Sequence, residues 1–185
     1  MLEQLNKWDR DLFVFLNSLG IEEYDGFWIF VTNIKHWIPL YLFFFFLFFL
    51  AFKLKKALLT SIFLLASFIT TLAFTNLVKG IALRLRPNND PELLDIIRIL
   101  QTPTNYSFFS GHASSSFVVA TFVVLSLKEK YRWIFFIYIW PIIFVMSRVY
   151  VGVHYPLDLI VGALVGLLFG FIFHKLHEIA GKRIY

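Results

Sequence analysis

Six ionisable side chains stand where apolar runs of this sequence begin or end: Lys79, Arg86, His112, Arg148, His154 and Asp158. Such groups are costly beside a hydrocarbon layer, so their recurrence at these boundaries calls for a function. Lys79 and Arg86 are seven residues apart, which on a continuous helix puts them on one face, with Arg84 turned roughly 140° from Lys79. Two cations so placed can address one anion, and Arg148 adds a guanidinium fork that fits phosphate oxygens. His154 and Asp158 are four apart around Pro156, a residue suited to a first helical turn, so the carboxylate can reach back to the imidazole. That contact fixes the tautomer and frees the second ring nitrogen for attack. Ser110, Gly111 and His112 open another apolar run, where glycine permits close backbone approach and helix-start N–H groups favour an anion. Taken singly, each residue reads as well as a snorkelling or packing side chain; together they describe a phosphoryl site.

The elements that must position these residues are membrane helices. The 185 residues are 59% hydrophobic and 16% charged, with 24 Phe, too apolar for the solvated surface of a soluble domain. With no Cys there are no disulfides or thiolate ligands. The +5 formal charge is scattered between apolar runs, which fits lipid headgroups and membrane orientation and gives no nucleic-acid face. The expected fold is all-α: a polytopic bundle of about five transmembrane helices, read as one domain over residues 1–185. Residues 1–35 are expected to form amphipathic interfacial helices, and residues 36–174 the transmembrane bundle. The acidic residues before position 26 leave no cleavable signal pattern.

Residues 1–20 repeat Leu5, Trp8, Leu12, Phe15, Leu16 and Leu19 at helical spacing, predicting a helix along the membrane surface that captures or orients lipid. The catalytic candidates, all beyond residue 78, are expected to be independent of it. Spans are predicted at about 36–52, 57–78, 112–127, 133–149 with a kink at Pro141, and 157–174. Ser67, Thr70, Thr71, Thr75 and Asn76 in the second span, and Gly162, Gly166 and Gly170 in the fifth, suit close helix packing. Lys53, Lys55, Lys56, Lys128, Lys130, Arg132, Lys175, Lys182 and Arg183 collect on one side, which the positive-inside rule makes cytoplasmic. The phosphoryl candidates then face outward.

Lys79 through Arg86-Pro87, then Ser110-Gly111-His112, then Ser147-Arg148 with His154 and Asp158 resemble, in order and placement, the three motifs of the type-2 phosphatidic acid phosphatase superfamily. The resemblance covers residues 79–158 directly, while the N-terminal third is similar only in general character. Phe109 stands where that family usually has Pro, which predicts an altered loop with chemistry retained. The resemblance implies that His154 attacks phosphorus, Asp158 orients it, and His112 serves as acid and then base. Lys79, Arg86, Arg148, Ser110 and the Gly111 backbone would hold the phosphate oxygens, with no metal or other cofactor. The chain is similar to small bacterial lipid phosphatases of the inner membrane with a periplasmic site. The favoured substrates are lipid A 1-phosphate and undecaprenyl diphosphate, with phosphatidylglycerophosphate and phosphatidic acid behind them. A non-enzymatic lipid-binding or translocating protein, and vanadate-dependent haloperoxidase chemistry, are the other readings. Protein partners are not legible.

Overall fold

The computed structural model describes residues 2–184, with side chains over residues 3–182, so the side chain of Arg183 lies outside it. All regular structure among the described residues is helical. The helices are α1 (Leu2–Ser18), α2 (Asp25–Thr32), α3 (Ile38–Ala51), α4 (Leu54–Ala82), α5 (Gly111–Leu127), α6 (Ile139–Tyr150) and α7 (Pro156–Ile184). Four apolar stretches are long enough to cross a membrane, Ile34–Ala51, Leu54–Asn89, Arg132–Tyr150 and Pro156–Lys182, and Gly111–Leu127 is a shorter fifth. These are the five runs predicted from hydropathy.

α5 is the axis of the bundle, buried along most of its length from Ala113 to Leu127. Against it α4 buries one narrow face, Ala57, Thr60, Ser61, Leu64, Ser67, Thr71, Thr75 and Lys79, at steps of three and four. The hydroxyls of Ser61, Thr71 and Thr75 donate to carbonyls four residues back at 2.9, 2.7 and 2.8 Å, which satisfies polar groups on a face without water. Lys79 is the last member of that face, so helical periodicity carries it to the end of the bundle. Thr70 and Asn76, also expected at a helix contact, are exposed.

α7 crosses α5 at the three glycines. A Cβ on Gly162, Gly166 or Gly170 would lie 2.7 Å from Ser110 O, 2.5 Å from Ser114 O, or 2.6 Å from Thr121 Cβ. Backbone meets backbone there, as the four-residue spacing predicts. In the fourth apolar run the expected kink takes another form. Residues Arg132–Tyr138 are 3-10 helix and α6 begins at Ile139, placing Pro141 in the first turn, where its missing N–H removes no intrahelical bond.

α1 carries the apolar stripe that its sequence predicts, on the side turned away from the bundle. Leu5, Trp8, Leu12, Phe15, Leu16 and Leu19 are exposed, as are Gln4, Lys7 and Asp11, whereas Asp9, Phe13 and Asn17 are buried. An exposed apolar stripe beside a bilayer is free to meet lipid, while the narrow buried face turns to protein. Asn17 ties the helix down: its Nδ2 donates to Arg98 O, Val149 O and Tyr150 O at 3.1, 3.0 and 3.2 Å, and its Oδ1 accepts from Arg98 N at 2.7 Å. Arg98 in turn pairs with Asp25 of α2 at 2.8 Å, and this contact holds the Asp25 carboxyl below its usual range.

Candidate active site

The site lies where α4 and α6 end and α5 and α7 begin. His154 and Asp158 are both fully buried, with His154 Nδ1 3.3 Å from Asp158 Oδ2. The tautomer follows from the neighbours. Arg86 Nη1 lies 2.9 Å from His154 Nε2, and a guanidinium can only donate, so Nε2 carries the lone pair and Nδ1 the proton. That proton is shared between Asp158 Oδ2 and Ser107 Oγ, the latter at 3.2 Å, while the Ser107 hydroxyl donates to Asp158. Burial first, and then the cations Arg86, Arg148, Lys79 and Arg84, push the His154 pKa well below the ordinary histidine value.

Both carboxylate oxygens of Asp158 are engaged. Oδ1 accepts from Arg84 Nη1 at 2.8 Å, Oδ2 from Tyr155 N at 3.0 Å and from Ser107, and its backbone carbonyl accepts from Ser110 N at 3.0 Å. This last bond joins the start of α7 to the start of α5. Ser110 caps α5, accepting from Ala113 N at 3.4 Å. A Cβ on Gly111 would make only ordinary contact, 3.7 Å from Thr75 Cγ2, so packing within the chain does not require glycine there. Phe109 is buried against Phe74, with ring centroids 6.0 Å apart.

Each of the three predicted cations keeps donors unused. Lys79 Nζ donates to Tyr106 O and Ser107 O, leaving one N–H. Arg86 spends four donors on Asn105 O, Asn105 Oδ1, Val153 O and His154, leaving one of its five. Arg148 is anchored through Nη1 to Thr32 and Gln101, and its buried Nε has no partner among the described residues. His112 packs its ring 5.0 Å from Phe144 with no hydrogen bond to the imidazole among the described residues.

Two sequence readings need correction. Lys79 and Arg86 do not share a helix face: α4 ends at Ala82, Leu83 is left-handed with φ of 49°, and Arg86 lies in extended backbone before Pro87. They converge because the chain reverses. Arg84, read as turned away, donates to Asp158 and at 2.6 Å to Asp9 of α1. The first helix is therefore joined to the candidate residues and is not independent of them. Ser107 and Asn105, which position the dyad and Arg86, lie in a loop with no periodic pattern to reveal them. Asp9 was detectable in principle, because Asp9, Phe13 and Asn17 recur every four residues on a face beside the apolar stripe.

Charge balance describes the guest. Lys79, Arg84, Arg86 and Arg148 against Asp9 and Asp158 leave 4 − 2 = 2 positive charges, the complement of a phosphate monoester dianion. Among the described residues no three His, Asp or Glu side chains gather in one place. An apolar bundle whose one end gathers cations around a buried His–Asp pair has the makings of a membrane phosphatase that acts on lipid phosphates. The chain belongs to the PAP2 superfamily, whose family model matches residues 60–182. It is 32% identical to a lipid A 4'-phosphatase of Bacteroides thetaiotaomicron over 95% of this chain and 81% of that protein. It is also 32% identical to an undecaprenyl-diphosphatase of Sulfolobus acidocaldarius, over 92% of this chain and 79% of that one. Its fold is similar to a transmembrane PAP2-type phosphatidylglycerolphosphate phosphatase of Bacillus subtilis, with a TM-score of 0.77 and 20% identity over 95% of this chain and 87% of that one.

Proposed function

We propose that this protein hydrolyses a lipid phosphate at the outer face of a bacterial inner membrane, through a phosphohistidine and without a metal. The observation that carries the reading is the His154 tautomer: a neutral imidazole with its Nε2 lone pair beside Arg86. Nε2 attacks phosphorus and the P–O bond to the lipid breaks, while His112 protonates the leaving oxygen. His112 then takes a proton from water, whose oxygen attacks phosphorus; the N–P bond breaks and phosphate leaves. Spare donors of Lys79, Arg86 and Arg148, with Ser110 and the Gly111 N–H, hold the equatorial oxygens. Asp158 keeps the proton of His154 on Nδ1 throughout.

Loop cations support this side of the membrane. Setting aside the four in the site, its end carries Lys7, Arg10, Lys35 and Arg98, against nine Lys and Arg at the other end, a bias that favours the other end as the cytoplasmic one. Leu85, Leu94, Ile96 and Tyr106 are exposed on the loop over the site, and α1, α6 and α7 enclose an apolar groove lined by Leu16, Met146 and Ile160. Both suit a substrate held by its chains in the outer leaflet. Of the two favoured substrates, lipid A dephosphorylation moves from the 1- to the 4'-position on the likeness to the Bacteroides enzyme, with undecaprenyl diphosphate second. Phosphate release by purified protein, in EDTA, across lipid A 4'-phosphate, lipid A 1-phosphate, undecaprenyl diphosphate, phosphatidylglycerophosphate and phosphatidic acid tests this. Turnover fastest on lipid A 4'-phosphate is expected; a preference for a glycerolipid overturns the substrate, and no turnover without added metal overturns the mechanism.

A further inference from the structure

Arg84 contributes charge to the site but does not offer a phosphate its termini as Lys79, Arg86 and Arg148 do their spare donors, because both termini are already committed to carboxylates. Nη1 donates to Asp158 Oδ1 at 2.8 Å and Nη2 to Asp9 Oδ2 at 2.6 Å, and the guanidinium lies 4.2 Å from the centroid of the Tyr155 ring. Asp9, 6% exposed, uses its other oxygen to accept from Leu157 N in the first turn of α7 at 2.8 Å. One carboxylate of the surface helix thus fixes both the arginine and the helix start that bears Asp158.

We propose that Asp9 and Arg84 are positioning residues for the His154–Asp158 dyad, setting the rotation of the Asp158 carboxylate and the proton affinity of His154 from a helix outside the bundle core. The inference rests on the phosphohistidine reading of the site. With Oδ1 held by Arg84, only Oδ2 is left to face His154 Nδ1, at 3.3 Å. A carboxylate free to rotate would present either oxygen, or a proton, to the imidazole. The charged and titratable groups around the dyad are Asp9 on α1, Lys79 on α4, Arg84 and Arg86 on the segment after it, His112 on α5, Arg148 on α6 and Tyr155 beside it. Among these, Asp9 and Arg84 act with opposite sign on His154: the arginine disfavours its protonation, and the carboxylate favours it.

The test uses the full chain in detergent micelles, with two readouts. One is kcat and KM on whichever lipid the wild type turns over. The other is the pH at which the His154 ring takes up its proton, followed by NMR of histidine-labelled protein and assigned with His154→Gln. Arg84→Gln is expected to lower kcat about 10- to 100-fold with KM nearly unchanged and to raise the His154 pKa by about one unit. Asp9→Asn should lower kcat less and move that pKa the other way. Arg84→Lys, which keeps the charge but cannot fork, should hold the pKa near wild type with kcat in between, and it carries the test if Arg84→Gln does not fold. Unchanged His154 titration in Arg84→Gln, shifts of the same sign in Arg84→Gln and Asp9→Asn, or full kcat in Arg84→Lys would each overturn the inference. A wild type that releases phosphate from no lipid removes the proposed function, and the NMR titration still decides this one.

Discussion

Gly162 is the point where packing and chemistry are most tightly joined. A Cβ added there meets Ser110 O at 2.7 Å and Ala113 Cβ at 2.9 Å. Neither neighbour is the end of a flexible side chain, so Gly162→Ala must push α5 and α7 apart by roughly 0.6–1 Å to reach ordinary carbon–carbon contact. Overpacking of this kind costs about 1–3 kcal/mol. The displaced residues are those that matter: Ser110 opens the segment bearing His112, and Gly162 is one turn from Asp158, whose carbonyl accepts from Ser110 N at 3.0 Å. A misplacement near 1 Å between acid and nucleophile costs about a hundredfold in rate. Gly162→Ala should therefore lower kcat ten- to a hundredfold and reduce the melting temperature by roughly 2–10 °C. Gly170→Ala, with an equal clash against Thr121 at 2.6 Å but 12 residues, about 18 Å, from Asp158, should cost stability with much less loss of kcat. Gly26→Ala, where a Cβ meets nothing within 4 Å, is the control. Phosphate release and thermal unfolding in the same detergent measure all three. Gly162→Ala within twofold of wild type, or Gly170→Ala losing as much activity, would refute the argument that this crossing sets the site.

Further outcomes follow from the site. His154→Ala should abolish turnover and Asp158→Asn should lower it by orders of magnitude with the fold intact by thermal unfolding; turnover persisting in folded His154→Ala ends the nucleophile assignment. Activity should survive EDTA and be inhibited by vanadate, which mimics five-coordinate phosphorus; rescue by Mg²⁺ or Zn²⁺ after chelation would contradict the use of side-chain cations. Single Cys variants labelled in intact cells with an impermeant thiol reagent should react at position 105 and not at 55, and the reverse pattern inverts the orientation. Because His154 is held neutral when folded, its pKa lies below the unfolded value near 6.5, so the unfolded chain binds the extra proton. Stability should be full above pH 6.5 and decline below it; a flat pH-stability profile down to pH 5 argues against a depressed His154.

Sequence legibility tracks periodicity. The glycines of α7 and the buried face of α4 could be placed because an α-helix returns to the same face every three to four residues, and nothing in their surroundings alters that count. Lys79 and Arg86 come together for a reason other than a shared helix face, since the left-handed Leu83 reverses the chain where the spacing alone suggests a straight helix. Asn105, Ser107 and the partners of Arg84 are not legible, because loop residues have no period and these contacts span over 18 residues of chain. The stripe on α1 is legible from its period, and it is exposed in the structure on the side that lipid would cover. The ties that fix the helix, through Asp9 and Asn17, are not, because their partners lie far along the chain.

The clamp on α1 also bears on how the protein is made. Its partners come late: Asp9 waits for Leu157, 148 residues downstream, and Asn17 for Tyr150, 133 downstream. At roughly 5–20 residues per second the first helix leaves the ribosome some 7–30 s before the backbone it must hold exists. In that interval Trp8, Phe15 and Leu19 can rest in the lipid surface that they face in the finished protein, while Asp9 and Asn17 stay hydrated at the headgroups. α1 thus docks only after the segments it holds have been made, and its arrival completes the end of the bundle that carries the candidate site.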